Sequence, residues 1–298
     1  MEIAVTGSTG LIGTAFVRAA EAMGHGIVRV VRRSPGTGEI GWDIDAGSID
    51  ADGFRGLDAV VHLAGEALAN KKWTPQQKRV IEDSRIKSTA LLSNALSGLD
   101  SAPTVMLNGG AVGIYGNRMD ERLTEKSPPG DSYLAKLCVD WEAAANSAVE
   151  AGIRVAHLRT GIVLSTQSGA LAEQLPFFKA GLGGRVGNGR QFWSWISIHD
   201  QVEAMLHLLE SDLSGPVNFT GPEPVRNTDY VQAIAHAVRR PAKIPTPTIA
   251  LDLKLGREAV REMLFASQRA VPQALLDDGY AFRHSTIEEA LDDVLLAS

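Results

Sequence analysis

The chain has 298 residues, enough for one large α/β domain or for a dinucleotide-binding domain with a smaller second lobe. Hydrophobic residues make up 44% and charged residues 21%, which excludes a disordered or fibrous chain. A formal net charge of -6 leaves no basic footprint for nucleic acid or an anionic membrane surface, so the expected partner is a small-molecule substrate.

In chain order, residues 3–6, 27–31, 59–63, 104–107 and 155–158 read as strands buried on both faces, because their apolar residues run on instead of alternating. Residues 11–23, 75–96 and 132–151 carry apolar side chains at helical spacing. Gly24, Gly98 and Gly152 stand where helix ends call for positive φ, and Asp131 is placed to cap the third helix. This alternation predicts an α/β fold, a doubly wound parallel-sheet Rossmann domain over residues 1–165, with a strand near 216–220 rejoining it. Residues 166–298 read as a smaller C-terminal substrate lobe that ends in a helical domain at about 245–295. The linker PAKIPTPT precedes that domain, and Ser285 with Glu288 makes a capping box near its end. The single cysteine, Cys138, reads as a small buried residue of a reducing compartment. With no secretory segment and no membrane span legible, a cytoplasmic location is the expectation. The seven histidines and the cysteine show no metal-ligand spacing.

The segment TGSTGLIG sets Gly7, Gly10 and Gly13 between the first strand and the first helix. The first glycine permits a tight turn, the second lets backbone approach a pyrophosphate, and the third allows close helix packing. Thr9, Leu11 and Ile12 then lie at the positive end of the helix. An NAD site wants an acid near the end of the second strand, yet residues 26–38 contain none. Arg32 and Arg33 follow Val31 instead, and guanidinium forks suit a 2′-phosphate. The cofactor expected is NADP(H).

With TGSTGLIG, DAVVHLAGEAL, the segment from Trp73 to Arg85, AVGIYG, LRTGIVL, GGRVGNGRQFWSWISIHD and SQRAVPQALLDDGY, the chain resembles the atypical extended short-chain dehydrogenases/reductases. Within them it is similar to the "epimerase family protein" type, an NAD-dependent epimerase/dehydratase-like domain with its own short C-terminal domain. The resemblance implies a small lobe closing over the nicotinamide and an NADP-type cofactor. It also implies that Leu63, Ala64, Gly65 and Glu66 run past the cofactor and that Arg85 reaches it, with Arg159 of LRTGIVL on the same side.

The wider superfamily pairs a Ser or Thr after the relevant strand with a Tyr four residues before a Lys; the Tyr moves the proton that accompanies hydride transfer. Here Asn108, Gly109, Gly110 and Ala111 stand where the hydroxyl is expected. Tyr133 precedes Lys136 by three residues, a rotation of about 100° from the usual register. Tyr133 and Lys136 are nevertheless the catalytic candidates. Tyr115, Trp73, Arg190, Trp193, Trp195 and His199 are candidates for substrate contact, each with a structural alternative. Three functions follow as readings: an NADP-dependent oxidoreductase on a small carbonyl or hydroxyl compound, a nucleotide-sugar epimerase or dehydratase, and an NADPH-binding regulatory protein without turnover. The helices beginning near Pro75 and Ser132 leave open a homodimer, although core packing explains their apolar faces equally well.

Overall fold

The computed structural model describes residues 1–296, apart from the side chain of Ala250. The chain opens with β1 (Glu2–Thr6), α1 (Leu11–Ala22), β2 (Gly26–Val31), β3 (Glu39–Asp43), β4 (Ser48–Ile49) and β5 (Ala59–His62). It continues with α2 (Pro75–Ser97), β6 (Val105–Ala111), β7 (Arg122–Leu123), α3 (Tyr133–Ala143), α4 (Asn146–Glu150) and β8 (Arg154–Thr160). The central sheet has eight strands in the order β12-β8-β6-β5-β1-β2-β3-β4, where β12 is Gly215–Phe219. The β1 strand therefore lies inside the sheet with β2 and β5 parallel on its two sides. Doubly wound sheets bind ligands where strand order reverses, here beyond the carboxyl end of β1.

Continuous apolar strands follow from helices on both faces. Ile3 and Val5 of β1, Ala59 and Val61 of β5, and Val105 and Leu107 of β6 pack on one face in one core with Phe16, Val17 and Ala20 of α1. Ala4, Val60 and Met106, the alternating residues, pack on the other face with Leu92 and Leu96 of α2 and Ala145 and Ala148. Each such side chain, fully buried, stabilises the fold by about 1.5–3 kcal/mol for the larger types. One row across the second face is polar: Thr6, His62, Asn108 and His157 stand opposite one another in register. Burial pushes His62 down to about 3, so the ring is neutral. Thr6 Oγ1 accepts from the amides of Leu63 and Ala64 and lies 2.8 Å from His62 Nδ1, which assigns the hydroxyl proton to Nδ1 as acceptor. Nε2–H then donates to Thr89 Oγ1 at 3.0 Å.

The second half comprises β9 (Ile162–Leu164), α5 (Ala170–Lys179), β10 (Phe192–Trp193), β11 (Trp195–Ser197), α6 (Ile198–Glu210), β12, β13 (Val225–Arg226) and α7 (Asn227–Ala237). It ends with α8 (Thr248–Leu255), α9 (Arg257–Val260), a π-helical turn at Arg261–Phe265, β14 (Arg269–Ala270), α10 (Gln273–Asp277) and α11 (Ile287–Leu296). A core of its own joins Trp193 and Trp195 to Tyr230, Ile234, Ile287 and Leu291. Leu255, Ala259 and Val260 cover Ile81 of α2 and Leu134 and Leu137 of α3. Those are the apolar faces left open for a homodimer, and much of that stripe is spent inside the chain.

Several local expectations need correction. Gly98 keeps a right-handed φ of -88°, whereas Gly24 and Gly152 take +83° and +84°. Ser132 caps α3, accepting from Ala135 N, so Asp131 lies outside the helix. The helix expected over 132–151 is two, separated at Ala144 and Ala145. The last capping box sits one residue later: Thr286 Oγ1 accepts from Glu289 N, and Glu289 accepts from the amides of Ser285 and Thr286. That register lets Ile287, Ala290, Leu291 and Val294 face the core together.

Candidate functional site

The glycines at the end of β1 have separate reasons. Gly7 takes φ +65°, and a methyl group there would lie 2.8 Å from the carbonyl carbon of Leu63. At Gly13 it would overlap the Gly7 carbonyl oxygen, so α1 approaches the loop only because the side chain is missing. At Gly10 it would meet nothing nearer than that same oxygen at 3.4 Å. Among the described residues nothing else crowds the middle glycine. Gly10 begins α1 without a side-chain cap, so the first-turn amides of Leu11, Ile12 and Gly13 are left for an external acceptor.

The two arginines after β2 differ. Arg33 donates to Glu39 Oε1 at 2.5 Å and to the Ser34 carbonyl, and Glu39 also accepts from Gly36 N. Glu39 is the first acid after the acid-free stretch, and it occupies Arg33. Arg32 is exposed and makes no hydrogen bond or ion pair among the described residues.

Beyond β5, Leu63, Ala64 and Gly65 are held in place by Thr6. Arg85 of α2 lies over Gly65, its Cζ 3.4 Å from where a Gly65 methyl group would stand, and over the Trp141 ring at 5.1 Å. The guanidinium donates to the Ile81 carbonyl and the Ser84 hydroxyl. No carboxylate lies within ion-pair distance among the described residues, and desolvation lowers its pKa. The side chain is half-buried, and Glu66 acts on it from beyond ion-pair distance. Glu66 turns to Lys71 at 3.1 Å and to Gln77, and the Lys71 ammonium holds its carboxyl below the usual range.

The Tyr133–Lys136 pair is not brought together. The Tyr133 hydroxyl donates to the Lys78 carbonyl at 3.4 Å, with Lys78 Nζ 4.3 Å over its ring and Trp73 against its edge. Burial, with Glu82 adding to it, pushes the phenol up. The Lys136 side chain is exposed and makes no hydrogen bond or ion pair among the described residues. One residue of slip turns the lysine to solvent; Ser132 occupies the position four before it. Ser132 Oγ and Leu134 N both donate to Glu262, at 2.7 and 3.1 Å, so the C-terminal π-helical turn pins the helix that carries Tyr133. Sequence reasoning missed Glu262 because nothing around REMLF marks it and the contact spans 130 residues. The glycines where a serine was expected are packing devices. A methyl group at Gly109 would lie 2.9 Å from Trp141, and one at Gly110 3.1 Å from the Leu158 carbonyl.

The remaining candidates have these surroundings. Arg159 points away to a buried network: it pairs with Glu142 at 2.7 and 2.9 Å, and donates to the Tyr115 hydroxyl and the Glu125 carbonyl. With that fork occupied, its place in the cofactor set is not what the structure supports. Tyr115, fully buried, donates in turn to Asn218 at 2.7 Å. Trp73 donates to the Leu68 carbonyl, and Trp193 and Trp195 are core side chains donating to backbone carbonyls of Leu264 and Glu223. His199 lies in the first turn of α6, 3.4 Å from Asp293. Arg190 stands exposed on the lobe. Among the described residues no group of three or more His, Cys, Asp or Glu is placed to hold a metal, and no helix is long and apolar enough to cross a membrane.

Comparison with known proteins places this geometry. Residues 3–219 match the model of the NAD dependent epimerase/dehydratase family, and residues 246–294 match a domain of unknown function, DUF1731. The chain is 42% identical to "Epimerase family protein Mb2239" of Mycobacterium bovis over 97% of this chain and 96% of that protein. It is 33% identical to "Epimerase family protein SDR39U1" of Homo sapiens over 99% of this chain and 100% of that protein. A crystal structure of human SDR39U1 (isoform 2) with NADPH superposes with a TM-score of 0.89 at 32% identity, covering 99% of each chain. From the glycine turn, the parallel sheet and these matches together, the chain belongs to the NAD dependent epimerase/dehydratase family, with a DUF1731 domain at its C-terminus.

Proposed function

We propose that the chain is an NADP(H)-dependent oxidoreductase acting on a small carbonyl or hydroxyl compound. The observation that carries the cofactor choice is Arg32, an exposed guanidinium at the end of β2 with no hydrogen bond or ion pair among the described residues, beside an acid already spent on Arg33. The rest of the loop fits such a group. Gly10 leaves room, Leu11, Ile12 and Gly13 offer amides to a pyrophosphate, Leu63, Ala64 and Gly65 form the wall, and Arg85 brings a positive charge with no carboxylate within ion-pair distance among the described residues. The NADPH bound to human SDR39U1 supports this reading.

When bound, a nicotinamide dinucleotide gives or takes hydride. The protein's task is then to position the substrate and move a proton. Tyr133 Oη is protonated at neutral pH, as any phenol is, and burial pushes its pKa up further. It therefore suits donation to the oxyanion of a carbonyl being reduced, and makes a poor base for the reverse reaction. Lys136 has no part in this scheme. A second reading, a protein that binds NADPH without turnover, is favoured by the exposed Lys136 and the missing hydroxyl at residues 108–111.

The test is NADPH oxidation against a panel of carbonyl compounds, then Tyr133→Phe on whichever substrate responds. Turnover is expected to fall at least about tenfold, within the range a lost proton donor allows, with NADPH affinity unchanged. Full activity of Tyr133→Phe removes this residue from the mechanism. Tight NADPH binding with no turnover on any compound selects the second reading.

A further inference from the structure

The blocks GGRVGNGRQFWSWISIHD and SQRAVPQALLDDGY take no part in the cofactor loop, yet the fold stitches them together. Phe192 N donates to Ser267 Oγ at 2.9 Å, Gln268 N to the Phe192 carbonyl at 3.0 Å, and Ser194 Oγ to the Gln268 carbonyl at 2.8 Å. On its other edge β10 pairs with β13, which sets Arg226 opposite Phe192. Alternation sends Trp193 and Val225 into the core of the lobe and leaves Phe192 and Arg226 on the opposite face. There the Arg226 guanidinium lies 4.4 Å and that of Arg269 5.0 Å from the Phe192 ring centre. Both are within cation–π range, so the ring helps to fix both forks.

The charges on this face do not balance. Arg226 makes a two-pronged pair with Asp120, at 3.3 and 3.0 Å. Asp120 also feels Arg190 and Arg269, and these three guanidinium groups together hold its carboxyl below the usual range, Arg226 most strongly. Arg190 and Arg269 are exposed and have no ion pair among the described residues. The neighbouring Glu121 is taken by Arg118, and Arg122, opposite Arg269 in register, bonds only to the neutral Gln273. At least two positive charges are thus uncompensated, on a chain whose net charge is -6.

We propose that Arg226 and Arg269, over the Phe192 ring, together with Arg190 next to Arg226, form a binding site for the phosphate monoester of a small-molecule ligand, apart from the cofactor loop. Such a group carries about -1.5 to -2 charges at neutral pH and offers three acceptor oxygens, which matches the excess charge. Planar forks favour phosphate over a spherical anion. Asp120 holds Arg226 in place and competes with the ligand for its fork.

The test is calorimetric titration with inorganic phosphate at constant ionic strength, with a short phosphoserine peptide as a second arm. Wild type and Arg32→Ala are both expected to bind phosphate, because Arg32 belongs to the other anion site. Arg190→Gln with Arg269→Gln should weaken phosphate binding at least about tenfold, the scale of one charge-assisted hydrogen bond. Asp120→Asn should tighten it. Thermal melts check that the variants fold, which the exposure of Arg190 and Arg269 favours. No saturable phosphate binding by the wild type, equal binding by the double variant, or binding of the peptide alone overturns the assignment. Loss of binding in Arg32→Ala places the phosphate at the cofactor loop and overturns it as well.

Discussion

Replacing Arg32 by alanine removes the guanidinium at the end of β2 that makes no hydrogen bond or ion pair among the described residues. If it holds the cofactor's 2′-phosphate, the loss is that of charge-assisted hydrogen bonds, about 1.5–3 kcal/mol. That converts to a Kd for NADPH weaker by roughly 10- to 150-fold. NADH lacks the 2′-phosphate, so its affinity should stay within about twofold of wild type, the change expected from losing a screened surface charge. Arg33→Ala should cost less, since Arg33 is 63% exposed and already engaged by Glu39. Glu39→Gln should act the other way: it frees Arg33, removes a nearby negative charge and tightens NADPH. The assay is fluorescence or calorimetric titration of each variant with both dinucleotides at one salt concentration. Equal weakening of NADPH and NADH by Arg32→Ala would refute the reasoning, and so would a larger effect from Arg33→Ala.

Gly13→Ala should destabilise the fold by about 1–3 kcal/mol through overlap with the Gly7 carbonyl and abolish NADPH binding, as read by thermal melts with and without cofactor. Glu142→Ala leaves Arg159 uncompensated where only 9% of its side chain is exposed; about 3–5 kcal/mol is expected, and Glu142→Leu with Arg159→Met should recover much of it. His62, held at about 3 by burial, binds its proton more weakly folded than unfolded, where its pKa is about 6.5. Its contribution to stability is therefore complete above about pH 6.5 and is lost as pH falls toward 3, by up to about 1.4 kcal/mol per pH unit. Denaturant titrations across that window should show a shallower slope for His62→Gln; an unchanged slope would mean that another group titrates. Asp278, held below the usual carboxylate range by Ser211 and then by His207, stabilises the fold above its ordinary value of about 3.9 and loses that effect in stronger acid; Asp278→Asn should flatten that final decline.

Some of the molecule is written in local sequence. The glycine turn, the continuous apolar strands of β1, β5 and β6, and the missing acid after β2 are legible because each depends on neighbours a few residues away. Local reading singles out Arg32 and Arg33 with the same standing, because the acid that claims Arg33 enters on β3, which lies outside the strands legible in the sequence. The arrangement around Tyr133 depended on more distant groups. Its hydroxyl meets the Lys78 carbonyl, and its helix is pinned by Glu262 across 130 residues. Arg159 was assigned to the cofactor from a motif, yet Glu142 and Tyr115 hold it elsewhere. Arg190, Arg226 and Arg269 likewise come from three separate stretches of chain. Sequence by itself fixes periodicity, turn chemistry and the glycine spacing of a nucleotide loop, since these are short-range steric and hydrogen-bonding requirements. Which charges are paired, which phenol meets a lysine and which guanidinium is left free are decided only when the packed sheet and the C-terminal lobe bring distant residues within a few ångströms, where desolvation and Coulomb terms become large.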